Sequence, residues 1–161
     1  MNKATKKQAA KKTVGGPFLT LAVFCERSMQ ERDGVQSLVR MFDRLTVPPL
    51  PVLADPTAKA GVQVTFVVGF KSGDFVGPKT LRIKRLGKKP REHAVPVVFE
   101  GQEHGPVVVS EMRLQVTEPE LIWFEVYLDE QLMTHVPLRI LFAEEPSPSV
   151  DSSKKKTRLK K

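Results

Sequence analysis

The sequence is short of the residues that most chemistry needs. It has one cysteine, three histidines, one tryptophan and one tyrosine in 161 residues. A single cysteine, Cys25, excludes an intramolecular disulfide framework and any multi-cysteine zinc or iron–sulfur site. Three scattered histidines leave little for metal ligation. No stretch approaches the roughly 18 consecutive apolar residues of a membrane span. Also missing are the G-x-S-x-G turn of a serine hydrolase, a phosphate-cradling glycine loop and an H-E-x-x-H pair.

What is present is a soluble composition for one domain: 40% hydrophobic residues, nine Phe and a formal charge of +8. The charge is unevenly placed. Residues 1–13 carry five Lys and no acid, and residues 154–161 carry six bases and no acid. Between them, fifteen bases stand against all eighteen acids, a net charge of −3. The composition therefore predicts disordered basic tails over 1–16 and 144–161 and a folded domain over 17–143. Lysine runs attract polyanions by counterion release, but no aromatic interleaves these ones, so base stacking is not on offer there. A basic start followed by Phe18–Cys25 has the outline of a lipoprotein signal. Gly15-Gly16-Pro17 interrupts it, and Phe24 is too large to precede a cleavage point. The segment reads as a buried strand.

The signals in the body are β. Phe18–Cys25 is apolar, β-branched and aromatic. Glu26–Arg32 is polar, at most a helical turn or two, and ends at the turn dipeptide Asp33-Gly34. Val35–Leu45 also fits a helical face, but its place after a turn favours a strand. Four prolines make 46–61 an extended loop. Gly61–Phe70 alternates, with Val62, Val64, Phe66 and Val68 on one face. Lys79–Leu86, Ala94–Glu100 and Val107–Val116 read as further strands, separated by the turns at 87–92 and 101–106. Leu121–Leu128 and Leu132–Phe142 form a hairpin through the three residues Asp129-Glu130-Gln131. Pro96 and Pro137 mark edge positions or bulges. About seven or eight short strands at near-regular spacing predict an all-β, antiparallel two-sheet sandwich. Prolines in or beside three strands argue against a closed barrel and for an immunoglobulin-like sandwich, without the Cys–Trp–Cys pattern of antibody domains.

Phe18-Leu19-Thr20-Leu21-Ala22-Val23-Phe24-Cys25-Glu26, Asp33-Gly34-Val35 and Leu38–Thr46 resemble the start of a small bacterial family known only as a domain of unknown function. Ile122–Asp129 and Val136-Pro137-Leu138-Arg139-Ile140 resemble its end, although Glu130 stands where glycine would be expected. The resemblance covers about half of the body. It implies a bacterial, cytoplasmic β-sandwich protein and brings no activity, cofactor or site residue with it.

Candidate chemistry is thin. Cys25 at the end of an apolar strand is better read as a small hydrophobe than as a nucleophile served by His93, His104 or His135. His104 with Glu100, Glu103 and Glu111 makes a poor metal set. Asp33, Asp55, Asp74 and Asp129 are single turn residues rather than a calcium cluster. Two features stand out. Lys79, Arg82, Lys84, Arg85, Lys88, Lys89 and Arg91 are seven bases within thirteen residues with no acid. They form either a charged edge that blocks sheet-to-sheet pairing or a dock for a phosphate backbone or an acidic partner. Trp123 and Tyr127 share one face of a strand with Glu125, while Ile122, Phe124, Val126 and Leu128 face the core. Aromatics wetted at one end suit an interface. The sequence thus predicts a non-enzymatic module with no cofactor and no metal, acting through an unidentified protein partner. A nucleic-acid-associated protein gripping phosphates non-specifically through the patch and tails is the alternative. An enzyme assembled from distant residues is a remoter one.

Overall fold

The structure is a computed structural model and describes residues 15–48, 60–88, 90–101 and 105–143. Most of both basic tails, the proline-rich stretch 49–59, Lys89 and the Glu103–His104 turn lie outside the described residues. The described residues form nine strands and no helix: β1 (Phe18–Gln30), β2 (Gln36–Phe42), β3 (Arg44–Val47), β4 (Ala60–Lys71), β5 (Val76–Arg85), β6 (Arg91–Glu100), β7 (Val107–Val116), β8 (Glu120–Leu128) and β9 (Gln131–Phe142). They form a four-stranded sheet, β2-β1-β4-β7, and a five-stranded sheet, β3-β9-β8-β5-β6. No helix among the described residues is long and apolar enough to cross a membrane.

The two sheets pack face to face in a sandwich-like arrangement because alternation puts one apolar row of each strand inward. Val64, Phe66 and Val68 of β4 are fully buried, as the period-two pattern predicts. They meet Ile122, Phe124, Val126 and Leu128 of β8 and Leu138 and Ile140 of β9 in one cluster. Three rings tie the sheets together at its centre. Phe24 stacks on Phe66 at 4.5 Å and meets Phe124 edge-on at 5.0 Å. Segments of β1, β8 and β9 thus meet in the core. Cys25 lies on the opposite side of β1 from Phe24 and is also fully buried.

Several expectations need correction. Glu26–Gln30 is not a helical turn but the continuation of β1, paired with β2 from Arg27↔Val39 to Gln30↔Gln36. Its polar residues are at ease there because this ribbon is wet on both faces. The turn that closes it lies where Asp33-Gly34 predicts, with the Asp33 carboxylate accepting from Val35 N–H at 3.1 Å. Val35–Leu45 is not one strand. It breaks at Asp43, and the chain passes from β2 in the first sheet to β3 in the second, with Arg40 at φ 50° just before the break. That change of sheet moves the apolar positions out of phase and produces the helix-like spacing. Thr46 and Val47 then belong to β3 instead of the loop, which raises the strand number to nine. Finally, the sandwich is not wholly antiparallel, since β3 runs parallel to β9 from Arg44↔Arg139 to Val47↔Phe142.

The prolines fall where their missing N–H is tolerable. Pro96 is on β6, an edge strand. Pro137 precedes the stretch of β9 that β3 flanks. The β8–β9 connection is tighter than the three residues expected: Leu128 pairs with Gln131, leaving only Asp129 and Glu130 in the turn.

Candidate functional site

The outer face of the five-stranded sheet carries Arg82, Lys84, Trp123 and Tyr127 of the residues that the sequence singles out. Register decides which side chains are neighbours. Arg82 pairs with Tyr127 on one side and Ala94 on the other, and Lys84 pairs with Glu125 and Glu92. On β9, His135 lies opposite Glu125, and Pro137 opposite Trp123.

The seven bases do not make one face. Arg82 and Lys84 point outward together, as alternation predicts. Lys79 and Arg85 have the parity of the core residues Leu81 and Ile83 and sit at opposite ends of that inward row. Lys88 follows the strand, Arg91 begins the next, and Lys89 is outside the described residues.

Acids accompany most of them. Lys79 Nζ is 2.7 Å from Asp129 and lies over the Phe75 ring at 4.8 Å. Arg82 donates to the Asp129 carbonyl at 2.7 Å, reaches Glu130 at 2.9 Å and Glu92 at 3.7 Å, and covers the Tyr127 ring at 5.4 Å. Lys84 lies 4.0 Å from Glu125, Arg85 3.4 Å from Glu120, and Lys88 pairs with Glu118. Arg91 has no acidic partner among the described residues. Two outward bases, Arg82 and Lys84, therefore face three carboxylates, Glu92, Glu125 and Glu130. A phosphate approaching this row must displace existing pairs, which weakens its gain.

Glu125, which alternation places on the face of Trp123 and Tyr127, is the hub of the row. It accepts from the Tyr127 hydroxyl at 3.0 Å and lies 3.4 Å from His135 Nε2. The hydrogen bond to Glu125, helped by partial burial, pushes the Tyr127 phenol above its usual range. Asp129 is a second hub. The Lys79 ammonium, then the Thr80 N–H, hold its carboxyl below its ordinary value of 3.8. Glu125 takes Tyr127 from its own strand, His135 through the β8–β9 register and Lys84 through the β5–β8 register, whereas Asp129 meets Lys79 and Thr80 because β5 lies beside β8.

Beside the charged row the surface is apolar. Trp123 is 43% exposed, and Leu121 and Leu132 are each 41% exposed. Trp123 and Leu121 share a face by alternation, so Leu121 was accessible to sequence reasoning. Pro137 joins them through the β8–β9 pairing, whereas Leu132 lies opposite Tyr127 at the turn end of the hairpin, with Glu125 and His135 between it and Trp123. Tyr127 is half-buried beneath Arg82.

Cys25 is enclosed, and its thiol is pushed up by burial, an effect that a backbone hydrogen bond from Arg27 only partly opposes. That is the reverse of the lowered pKa that activates a nucleophile. His93 and His135 are exposed on the other sheet. Among the described residues no three His, Cys, Asp or Glu side chains form a group able to hold a metal ion.

The fold and this face define an all-β, two-sheet protein with a mixed aromatic and charged surface. No family model matches the chain, and no curated protein matches it. Among solved structures, a novel β-glucosidase of Erythrobacter marinus is similar over 52% of this chain and 15% of that chain, with 15% identity and a TM-score of 0.36. A likeness of that degree bears on neither activity nor substrate.

Proposed function

We propose that the protein is a non-enzymatic binding module that docks a protein partner on the outer face of its five-stranded sheet, around Trp123. The observation that carries this reading is the exposure of Trp123, at 43%, beside Leu121 on the same face of β8 and opposite Pro137 on β9. A tryptophan flanked by aliphatics and rimmed by compensated charges has the composition of an interface centre. The single cysteine suits a reducing compartment, and with the bacterial resemblance it supports a cytoplasmic setting.

An immunoglobulin-like type is part of the proposal. Its support is the strand order. Taking β1, β4 and β7 as A, B and E, and β5, β6, β8 and β9 as C, C′, F and G, the pairings A–B, B–E, C–C′, C–F and F–G all occur.

The test is Trp123→Ser in the full chain, with Met41→Ser on the other sheet as control, each crosslinked and co-purified from the native host. Met41 is 62% exposed. The wild type and the Met41 variant are expected to retain a common partner. Trp123→Ser is expected to lose roughly thirtyfold or more in affinity for it, the scale of a 2 kcal/mol hot spot. A chain that emerges alone and monomeric would overturn the reading.

The lysine runs at both ends favour one other reading, a nucleic-acid-associated protein. It requires binding to DNA or RNA at about 50 mM salt that weakens steeply as salt rises. No association at that salt removes it.

A further inference from the structure

The edge strands β6 and β7 are not bonded to each other, and between them the sandwich opens into a cleft of about 660 Å³. That size lies within the range of small-molecule sites. Ile83, Leu114 and Phe124 form the floor, and Val95, Val108 and Met112 the walls, with His93 and Ser110 among them as polar groups of the lining. At the end where β5 and β6 meet, Arg85 and Arg91 are direct cross-strand partners and both line the opening. Arg91 is exposed and has no acidic partner among the described residues. Arg85 has Glu120 at 3.4 Å, but its buried Nε finds no acceptor. The remaining charges at the rim offset one another or are engaged elsewhere. Glu111 accompanies Arg113 on β7, and Glu92 reaches across to Arg82 on the outer face. The arginine end therefore carries one uncompensated positive charge above an apolar trough.

We propose that this cleft binds a single-chain amphiphilic carboxylate, its alkyl chain along Ile83, Val95, Met112 and Phe124 and its head group at Arg91 and Arg85. An uncharged chain would leave the arginines unmatched. A phosphate-rich polyanion would leave the apolar floor unused. The shape and the charge together select a molecule with one anionic end. The site is separate from the Trp123 face, which lies on the outer side of the same sheet.

The experiment is titration of the full-length protein with octanoate and decanoate, read by residue-resolved amide NMR, with decanol and decyltrimethylammonium as controls. Shifts are expected in Arg85, Arg91, Val95 and Val108–Leu114, with saturation. Decanoate is expected to bind roughly four- to fifteenfold more tightly than octanoate, as two further methylenes partly or fully leave water. Arg91→Ala is expected to weaken decanoate about tenfold and to abolish its advantage over decanol. Position 91 is exposed, so the variant folds, and unchanged shifts around Trp123 report that directly. The proposal is overturned by non-saturating shifts, by shifts confined to the termini or the Trp123 face, by equal binding of decyltrimethylammonium, or by an Arg91→Ala variant that binds decanoate as the wild type does.

Discussion

Phe124→Ala is expected to lower the free energy of unfolding by about 3–5 kcal/mol, the largest effect of any substitution considered. The ring is 1% exposed and is the one aromatic of the five-stranded sheet that meets both Phe24 and Phe66 of the opposite sheet, at 5.0 and 6.0 Å. Removing it takes its own apolar surface out of the core and leaves a cavity that neither neighbour can fill. Both are held in mid-strand, Phe24 between β2 and β4 and Phe66 between β1 and β7. A domain of this size has a total stability of about 5–15 kcal/mol, so the variant approaches the point of unfolding. Urea denaturation monitored by the fluorescence of Trp123 measures the change. A loss below about 1 kcal/mol would mean that the three rings do not form the sheet-to-sheet contact.

Asp129→Ala is expected to cost about 2 kcal/mol, through two separable causes. Asp129 has φ 52°, in the left-handed region that alanine enters only at a cost and that Asp and Asn tolerate better. Its carboxylate also accepts from Thr80 N–H at 2.8 Å and from Lys79 at 2.7 Å, joining the β8–β9 turn to β5. Asp129→Asn keeps the backbone preference and loses the charge, so it is expected to cost about half as much. The pH dependence has a definite sign. The folded-state pKa is lowered, so the stabilisation is complete above the ordinary value of 3.8 and is lost as pH falls through the folded value. The gap between wild type and Asp129→Asn is therefore expected to be constant near neutrality and to narrow in acid. A gap that widened as pH fell would contradict the lowered pKa. Chemical denaturation from pH 7 downward supplies the measurement.

Much of the architecture is legible locally. Ile122–Leu128 alternates cleanly because that strand has one face against the other sheet and one face outward, and Val64, Phe66 and Val68 take the inward face of β4, whose other face buries Thr65 and Val67 as well. Asp33-Gly34 closes β1–β2 as a turn dipeptide should. The failures have different causes. β1 extends through Glu26–Gln30 because its hairpin partner β2 pairs with it, a local pairing that polar residues on a ribbon wet on both faces do not announce. β3 leaves the β2 sheet to run beside β9, a partner far away in the chain of which a proline-flanked segment carries no sign.

The candidate surface divides in the same way. Seven bases in a row look like a cationic patch because sequence shows only their neighbours along the chain. Across the sheet, Arg82, Lys79 and Arg85 meet Asp129, Glu130 and Glu120, which lie between 35 and 50 positions away. By itself the sequence determined that the chain folds as an all-β body of mild negative charge, that Phe124 faces inward, and that Trp123 faces the other way. These are consequences of composition and of a two-residue repeat, which need no partner. Only the tertiary structure decided which charges cancel, which apolar residues join Trp123, and that β6 and β7 part to leave a cleft with Arg91 at its mouth. Those depend on strand register and sheet order, set by packing between segments far apart in the chain.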